Sequence, residues 1–242
     1  MNPILKKIIL YFIIVSTPAL TKAQTQNLYY KNLTDSIINT FSVDTNHLSI
    51  KRTDPMIKYK NYFNYVLCFY KNLEYKKIRI KSEKTHRVAD VKPKPIDVIA
   101  VPEERVYTII FSSKAGSLID TVTFEKLSVD SKIALISKQI SLIQEYSTLG
   151  FFEVIGMRFK KYSIKRSKEL NKDVNLYSIE AGFGYQLMTY TNEVYDKLLE
   201  DNWTDKHAYK KYYQKNVNAL MNYDAIKIYL YDYAVYLQNI YK

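Results

Sequence analysis

Few side chains in this sequence have the type and spacing that chemistry requires. His47, His86 and His207 are widely separated and fall in predicted loops or at loop edges. None of them has a second His, Cys, Asp or Glu at metal-ligand spacing on a common helix, so the sequence predicts no zinc site built from them. Cys68, the only cysteine, lies in the apolar run of residues 65–70 and is typical of a buried small hydrophobic residue.

The familiar catalytic fingerprints are missing as well. The sequence has no Gly-x-Ser-x-Gly elbow, no Walker loop and no dinucleotide-binding fingerprint. The paired carboxylates Glu103-Glu104 and Glu200-Asp201 lie in charged loop contexts, which favours solvated side chains. We therefore predict no catalytic residue, no cofactor and no metal ligand.

Two predicted helices carry the stretches of most interest. Apolar residues recur at helical spacing from a start near Ser128 or Asp130, in the order Val129, Ile133, Ile136, Ile140 and Ile143. This helix contains Ser-Lys-Gln-Ile-Ser-Leu-Ile at residues 137–143. A second predicted helix, about thirty residues further along the chain, carries residues 173–184, which end in Gly182-Phe183-Gly184.

The remaining elements follow from periodicity. The predicted helices and strands are a helix at 27–41, an ambiguous segment at 57–70, a strand at 75–81, a hairpin with strands 106–111 and 118–124, and helices at 185–200 and 223–240. The heptad spacing of the last helix permits a coiled-coil partner face, but at under three heptads it favours a docked terminal helix.

The stretch 104–190 resembles a family of exported bacterial zincin-like proteins related to metallopeptidases with a His-Glu-x-x-His motif. These proteins have a hairpin, a helix with Gly-His-Glu-Leu-Ser-His, and a downstream helix with an acidic residue, Thr-Asp and a later Gly-Leu-Gly or Gly-Phe-Gly. The match covers about a third of the chain and is carried by residues 105–109, 127–128, 133–143 and 173–187. It implies an α+β fold, mainly helical, with a small antiparallel hairpin or sheet in the N-terminal half.

The resemblance also implies a vacated metal site. In the intact motif, two His at i and i+4 bind one Zn²⁺ and the Glu after the first His activates the metal-bound water. The two His positions fall on Lys138 and Leu142, the Glu position on Gln139, and the downstream acidic pair on Asp173 and Asn175. A cationic amine, an aliphatic side chain and two amides do not support zinc catalysis. These five positions form a predicted remnant cleft without peptidase activity.

Two further interpretations concern this helix. The first is that residues 131–147 form an ordinary amphipathic helix with no zincin history, whose Lys, Gln and Ser side chains lie on its polar face. The second is that Lys138 replaces the lost cation and pairs with the carboxylate of Asp173 across facing helices.

Residues 1–23 have the order of a secretory signal peptide. Lys6 and Lys7 precede an apolar run at 8–15, and small residues at Thr21 and Ala23 suit signal peptidase. Eight apolar residues span only ~12 Å as a helix, far less than a ~30 Å bilayer core. We therefore expect an exported protein, periplasmic or extracellular, with a single zincin-like domain at 24–242 and no membrane span after cleavage.

Charge and composition limit the classes of partner that the protein is expected to bind. The net charge is +12, but Lys is spread through every segment and no nucleic-acid motif is present, which indicates a solvated basic surface and no nucleic-acid partner. The 24 Tyr suit either a sugar- or peptide-binding surface or an aromatic core. Two function classes stay open: a non-catalytic protein that binds an unknown protein or envelope component, and a metal-independent or atypical hydrolase of envelope or extracellular polymers. The oligomeric state is left open.

Overall fold

The computed structural model describes residues 31–41, 48–73, 75–83, 87–93, 99–112, 122–160, 163–199, 217, 220–233 and 236. Both stretches of most interest, 137–143 and 173–184, fall within these ranges. The predicted signal peptide at 1–23, the three histidines, and residues 118–121 of the predicted hairpin lie outside them.

The fold is α+β, with seven α-helices and a four-stranded sheet among the described residues. The helices are α1 (Asp35–Asn39), α2 (Lys60–Leu67), α3 (Val129–Thr148), α4 (Phe151–Lys160), α5 (Ile164–Glu180), α6 (Gly184–Leu199) and α7 (Tyr223–Asp232). The strands are β1 (Leu48–Ile50), β2 (Lys77–Glu83), β3 (Ala89–Pro93) and β4 (Val106–Ser112).

The sheet is mixed, with strand order β1-β2-β4-β3. β1 pairs with β2 and β2 with β4 in parallel, while β3 runs antiparallel to β4, with Val91 opposite Ile109. The resemblance implied a small antiparallel hairpin or sheet, whereas the observed sheet has four strands and only one of its three pairings is antiparallel. Each parallel pair joins segments that are distant in sequence. Parallel strands are not connected by a tight turn, so no turn signal in the sequence reveals their pairing.

β2 confirms the predicted strand at 75–81. Ile78 and Ile80 are buried while Lys77 and Arg79 are exposed, as expected for a strand with one face against the core. The predicted second hairpin strand is wrong at its end, because Phe124 begins a 3-10 turn, Phe124–Lys126.

Helix α3 runs through the middle of the molecule. Ser128 is its N-cap, with the Oγ accepting from the Ser131 N–H at 3.3 Å. Asp130, the other predicted cap, instead accepts from the Leu33 N–H at 2.9 Å and from Gln186 Nε2 at 3.2 Å. Every residue from 133 to 143 is buried, because helices and sheet surround α3. The side chains that the amphipathic interpretation assigns to a polar face, Ser137, Lys138, Gln139 and Ser141, are therefore buried and not solvated.

The turn between α5 and α6 explains Gly182-Phe183-Gly184. Gly182 has a φ of 98°, and the Phe183 N–H donates to Ser178 O at 3.0 Å, which together close α5 with a Schellman motif. Gly184 lets α7 approach closely, since a Cβ there would lie 2.1 Å from Leu230 Cδ2.

The structure also corrects two other predicted elements. Residues 27–30 of the predicted helix at 27–41 lie outside the described residues; residues 31–34 are not helical, and the helix runs from Asp35 to Asn39 after the Thr34 N-cap. The ambiguous segment at 57–70 is helical, with a 3-10 turn, Pro55–Tyr59, leading into α2.

Of the predicted helix at 223–240, α7 forms the part up to Asp232, and residues 234–235 and 237–240 lie outside the described residues. Ile226 and Leu230 of α7 are both buried, with Ile226 fully inaccessible to solvent, as the docked interpretation requires.

Candidate functional site: the Lys138 cleft

Helix α3 presents Lys138, Gln139 and Leu142 to one small cleft. Residues 87–90 at the start of β3, Asn171 and Val174 of α5, and Tyr190 of α6 complete its walls. The cavity volume is ≈ 40 Å³. A cavity needs about 10–15 Å³ per water molecule, so this one suits about three waters or one small functional group.

Lys138 is the central side chain of the cleft. It is 3% exposed, and its Nζ lies 5.3 Å from the centroid of the Tyr190 ring, within cation–π range. Burial lowers the pKa of the Lys138 amine to about 7, because desolvation penalises the charged form. Near neutral pH, both the ammonium and the neutral amine are therefore populated.

Other charged groups give the cleft an excess of positive charge. Arg87 Nη1 lies 3.8 Å from Asp90 Oδ1, and both residues line the cleft. Lys92 Nζ approaches the other Asp90 oxygen, also at 3.8 Å. With Lys138, two basic side chains and one carboxylate line the cleft, which favours a ligand group with negative charge or a strong hydrogen-bond acceptor.

Two amides complete the polar lining. Gln139 is 7% exposed, and Asn171 Nδ2 donates to Ser167 O at 2.7 Å. A carboxamide carries both donors and an acceptor, so it binds neutral polar groups well. An amine, two amides and the aliphatic Leu142 do not fit zinc, whose protein ligands are thiolates, imidazoles and carboxylates.

The downstream pair of predicted positions does not join this cleft. Asn171 and Val174 mark the cleft side of α5, and Asp173 lies about 200° around the helix from Asn171. Asp173 is exposed whereas Lys138 is buried, so the structure does not bring these two side chains together as an ion pair. The predicted Lys138–Asp173 pair is therefore wrong.

Asn175 has a different environment. It is 1% exposed, and its Oδ1 has no hydrogen-bond partner among the described residues. Of the five predicted remnant positions, Lys138, Gln139 and Leu142 thus share a cleft, Asn175 is buried outside its lining, and Asp173 faces solvent.

A buried hydroxyl cluster lies on another face of α3. Tyr70 Oη lies 2.7 Å from Ser137 Oγ and 2.8 Å from Ser141 Oγ, and Ser141 Oγ lies 3.0 Å from Ser178 Oγ. Desolvation raises the pKa of the Tyr70 phenol, which stays a neutral donor. The cluster joins α3, α5 and the segment after α2. The i, i+4 spacing of Ser137 and Ser141 within an apolar helix is the signal that sequence reasoning had available and did not use.

Other candidate groups carry less chemistry. The Cys68 thiol is half-buried, donates to Asn64 O at 3.1 Å, and has a pKa raised by burial, which favours the protonated thiol over a nucleophilic thiolate. Across the described residues, no group of three or more His, Cys, Asp or Glu side chains is arranged to hold a metal ion.

Many of the Tyr side chains belong to the interior. Among the described residues, the buried ones are Tyr62, Tyr65, Tyr70, Tyr107, Tyr146, Tyr190 and Tyr236. Within that part of the chain, this distribution favours the core interpretation of the aromatic content over a continuous binding surface.

Comparisons with protein-family models, with curated proteins and with solved structures gave no match for this chain. Within the described residues, no helix combines the length and the apolar content needed to cross a membrane.

Proposed function

We propose that this protein is an exported, non-catalytic binding or structural protein on a degenerate, zincin-like metallopeptidase scaffold, acting in the cell envelope or outside the cell. The observation that carries the proposal is the buried amine of Lys138. It lies in a cleft, at the position where the family resemblance expects the first zinc-binding His.

The arrangement of α3 supports the scaffold part of the proposal. Residues 138, 139 and 142 have the i, i+1, i+4 spacing of the His-Glu-x-x-His motif, and all three open into the same cleft. The geometry suits a metal-binding helix, while the donor atoms do not. A cationic amine in place of an imidazole repels a divalent cation and attracts an anion instead.

The residues that line the Lys138 cleft support the proposed binding role. Lys138, Arg87 and the two amides converge on a volume that holds one small group. A carboxylate or a carbonyl at the tip of a protein chain or an envelope polymer has the matching size and polarity. Convergent polar groups at the wall of a concave, otherwise apolar pocket are typical of sites that orient a ligand.

Elemental analysis of protein purified without chelators tests the loss of catalysis. We expect substoichiometric zinc and no hydrolysis of a mixed peptide library. About one zinc per chain that resists dialysis, or zinc-dependent cleavage, would contradict the proposal.

Restoring the motif tests the scaffold. In the triple variant Lys138→His/Gln139→Glu/Leu142→His, the cleft regains the donors of a zinc helix, and we expect zinc affinity to rise. The matched control is Glu169→His/Asp173→His, an i, i+4 pair at exposed positions of α5. A scaffold of metallopeptidase type should bind zinc at least about tenfold more tightly in the cleft than at the exposed pair, because surrounding groups orient the ligands. Equal affinities would remove the support for this scaffold.

Export has its own test. The mature product is expected to begin at Gln24 and to lie outside the cytoplasm, because residues 1–23 have the basic, apolar and small-residue order of a signal peptide. Intact-mass measurement of the exported protein checks this. A chain that keeps Met1 and remains in the membrane fraction is the contrary result.

A metal-independent hydrolase is the second candidate, favoured by the lowered pKa of Lys138. A neutral amine near pH 7 is a competent general base or nucleophile. A hydrolase of this type would gain activity as pH rises through about 7 and would lose it in Lys138→Met. Incubation of the protein with cell-wall polymer and with peptide substrates, at pH values on both sides of 7, distinguishes the two candidates.

A further inference from the structure

Helix α4 is apolar on two opposite faces. Val154 is fully buried and Met157 is 2% exposed, so one face packs on the core. Phe152 is 82% exposed and Phe159 is 66% exposed on the other face. A surface helix normally carries polar residues opposite its core-facing stripe, and α4 instead exposes two phenyl rings there.

The exposed residues form a single stripe. Positions 152, 155, 156 and 159 have the i, i+3, i+4, i+7 spacing of one helix face. They are Phe152, half-buried Ile155, exposed Gly156 and Phe159. A Cβ at Gly156 would meet nothing within 4 Å, so the middle of the stripe is open to solvent. We call these four residues the outer stripe.

Basic residues follow the outer stripe in the sequence. Residues 151–172 contain seven Lys or Arg and two Glu, a net charge of +5. The described basic side chains in α5 are all exposed: Lys165, Arg166, Lys168 and Lys172. None of these four forms an ion pair within the described part of the chain. Their charge is therefore available to an external anionic surface.

We propose that the outer stripe and the basic start of α5 form a peripheral docking surface for an anionic lipid bilayer. Aromatic side chains on an exposed helix insert at the headgroup boundary, and adjacent Lys and Arg bind the anionic headgroups. The charge separates this occupant from a second copy of the chain. Two copies packed through this face would bring the basic starts of two α5 helices together, whereas an anionic bilayer neutralises them.

The test uses a local fluorescent probe, so that it reports on α4 rather than on any other part of the chain. Trp203 is the only tryptophan, and Trp203→Phe combined with Phe152→Trp leaves one indole on the outer stripe. Vesicles of 30% phosphatidylglycerol in phosphatidylcholine are expected to shift this indole emission to the blue. Pure phosphatidylcholine vesicles and high salt should diminish the shift, because the basic residues supply part of the attraction.

The matched control probe is Tyr231→Trp with Trp203→Phe. Tyr231 lies on α7 and is 54% exposed, so the substitution adds an exposed indole away from the outer stripe. Its emission should not shift with either vesicle. A shift of both probes on anionic vesicles would show non-specific adsorption and overturn the proposal.

Substitutions complete the test. Phe159→Ser in the Phe152→Trp probe chain is expected to weaken partitioning about tenfold, the loss expected from one buried phenyl ring. The control Ile228→Ser removes an exposed apolar residue of α7, 61% exposed, and should leave partitioning unchanged. No vesicle-induced shift, no effect of Phe159→Ser, or a shift that appears without lipid and rises with protein concentration would each overturn the proposal. The last of these results would identify a second copy as the occupant.

Discussion

Helices α3 and α4 lie next to each other in the chain and depart from the usual distribution of polarity in opposite directions. α3 buries an amine and an amide, Lys138 and Gln139, at 3% and 7% exposure, while α4 exposes two phenyl rings, Phe152 and Phe159, at 82% and 66%. Both departures cost free energy in the isolated chain, the first through desolvation and the second through apolar hydration. Local conflicts of this kind concentrate at functional sites, where a ligand or a surface compensates for them.

The two helices therefore indicate two kinds of contact. The α3 side offers a small enclosed cleft with basic and amide groups, which suits one polar group of a ligand. The α4 side offers an open apolar stripe, followed in the sequence by basic residues, which suits an extended surface. If this assignment is right, substitution of Lys138 in α3 should reveal the cost of a desolvated charge, and substitution of the exposed phenyl rings of the outer stripe should barely change stability.

The largest effect on the free energy of unfolding is expected from substitution of Lys138. The amine has a pKa of about 7 in the folded state and 10.5 as its ordinary value. Between these two pH values, the unfolded state binds a proton that the folded state does not bind, so stability rises with pH across that window. Each unit between the two pKa values corresponds to about 1.4 kcal/mol. Lys138→Met should therefore be more stable than the parent by ~3–5 kcal/mol at pH 7, and the difference should shrink toward pH 10.5.

Urea denaturation of the parent and of Lys138→Met, at several pH values, measures this difference. Lys126→Met serves as the surface control, because Lys126 is exposed, and it should change the free energy of unfolding at pH 7 by less than about 0.5 kcal/mol. Arg87, Asp90 and Tyr190 face Lys138 and are present in both chains, so the difference isolates the amine. A pH-independent difference would mean that Lys138 is solvated.

The next effect separates the two faces of α4. Met157→Ala removes a side chain that is 2% exposed and should destabilise the protein by ~2–4 kcal/mol through the loss of burial and the cavity left behind. Phe152→Ala removes a larger side chain that is 82% exposed and should change the free energy of unfolding by less than about 0.5 kcal/mol. Thermal melts or urea denaturation provide the measurement. Similar losses for both variants would show that the outer stripe is covered in the folded protein.

A smaller effect is expected in the hydroxyl cluster. Tyr70→Phe keeps the ring and removes the group that contacts Ser137 Oγ and Ser141 Oγ, so two buried hydroxyls lose a partner. The expected loss is ~1–3 kcal/mol. Tyr229→Phe, at a half-buried tyrosine of α7, is the comparison variant with the same chemical change. If both variants unfold at the same urea concentration, the cluster contributes nothing specific.

The sequence predicted the central helix well, for physical reasons. Apolar periodicity and the Ser128 cap are local signals, and α3 begins at Val129 as they require. The second predicted helix, at 173–184, extends too far, because α5 ends at Glu180 and Gly182 takes a positive φ. Apolar periodicity does not show which elements surround a helix, so the burial of Lys138 and Gln139 could not be predicted from it. Burial on all sides depends on α2, α5, α6 and β3 packing around α3, and these contacts are long-range.

The cleft was predictable on one wall only. Lys138, Gln139 and Leu142 were singled out through the family motif, whereas Arg87, Asp90 and Tyr190 carry no signal that links them to α3 in sequence. The parallel pairing of β2 with β4 was missed for the same reason. The choice of Asp173 as a partner of Lys138 failed because of its helix face. A displacement of two residues in α5 turns a side chain from the cleft to solvent.

The smallest expected effect on stability is at Gly156, where stability and membrane binding by the outer stripe can be measured separately. Gly156 lies at the centre of α4, and a Cβ there meets nothing within 4 Å. Gly156→Ala should raise the free energy of unfolding by ~0.5–1 kcal/mol, since alanine favours the helix and reduces the entropy of the unfolded chain. In the vesicle assay the same variant should bind at least as well as the parent, because a methyl group adds apolar surface to the stripe. Gly156→Glu should fold to a similar stability but lose the vesicle-induced shift, because a carboxylate in the middle of the stripe repels anionic headgroups and resists burial. A loss of stability in Gly156→Ala would show that the outer stripe is already packed against part of the chain, in which case α4 would match α3 as a buried helix and the contrast between them would disappear.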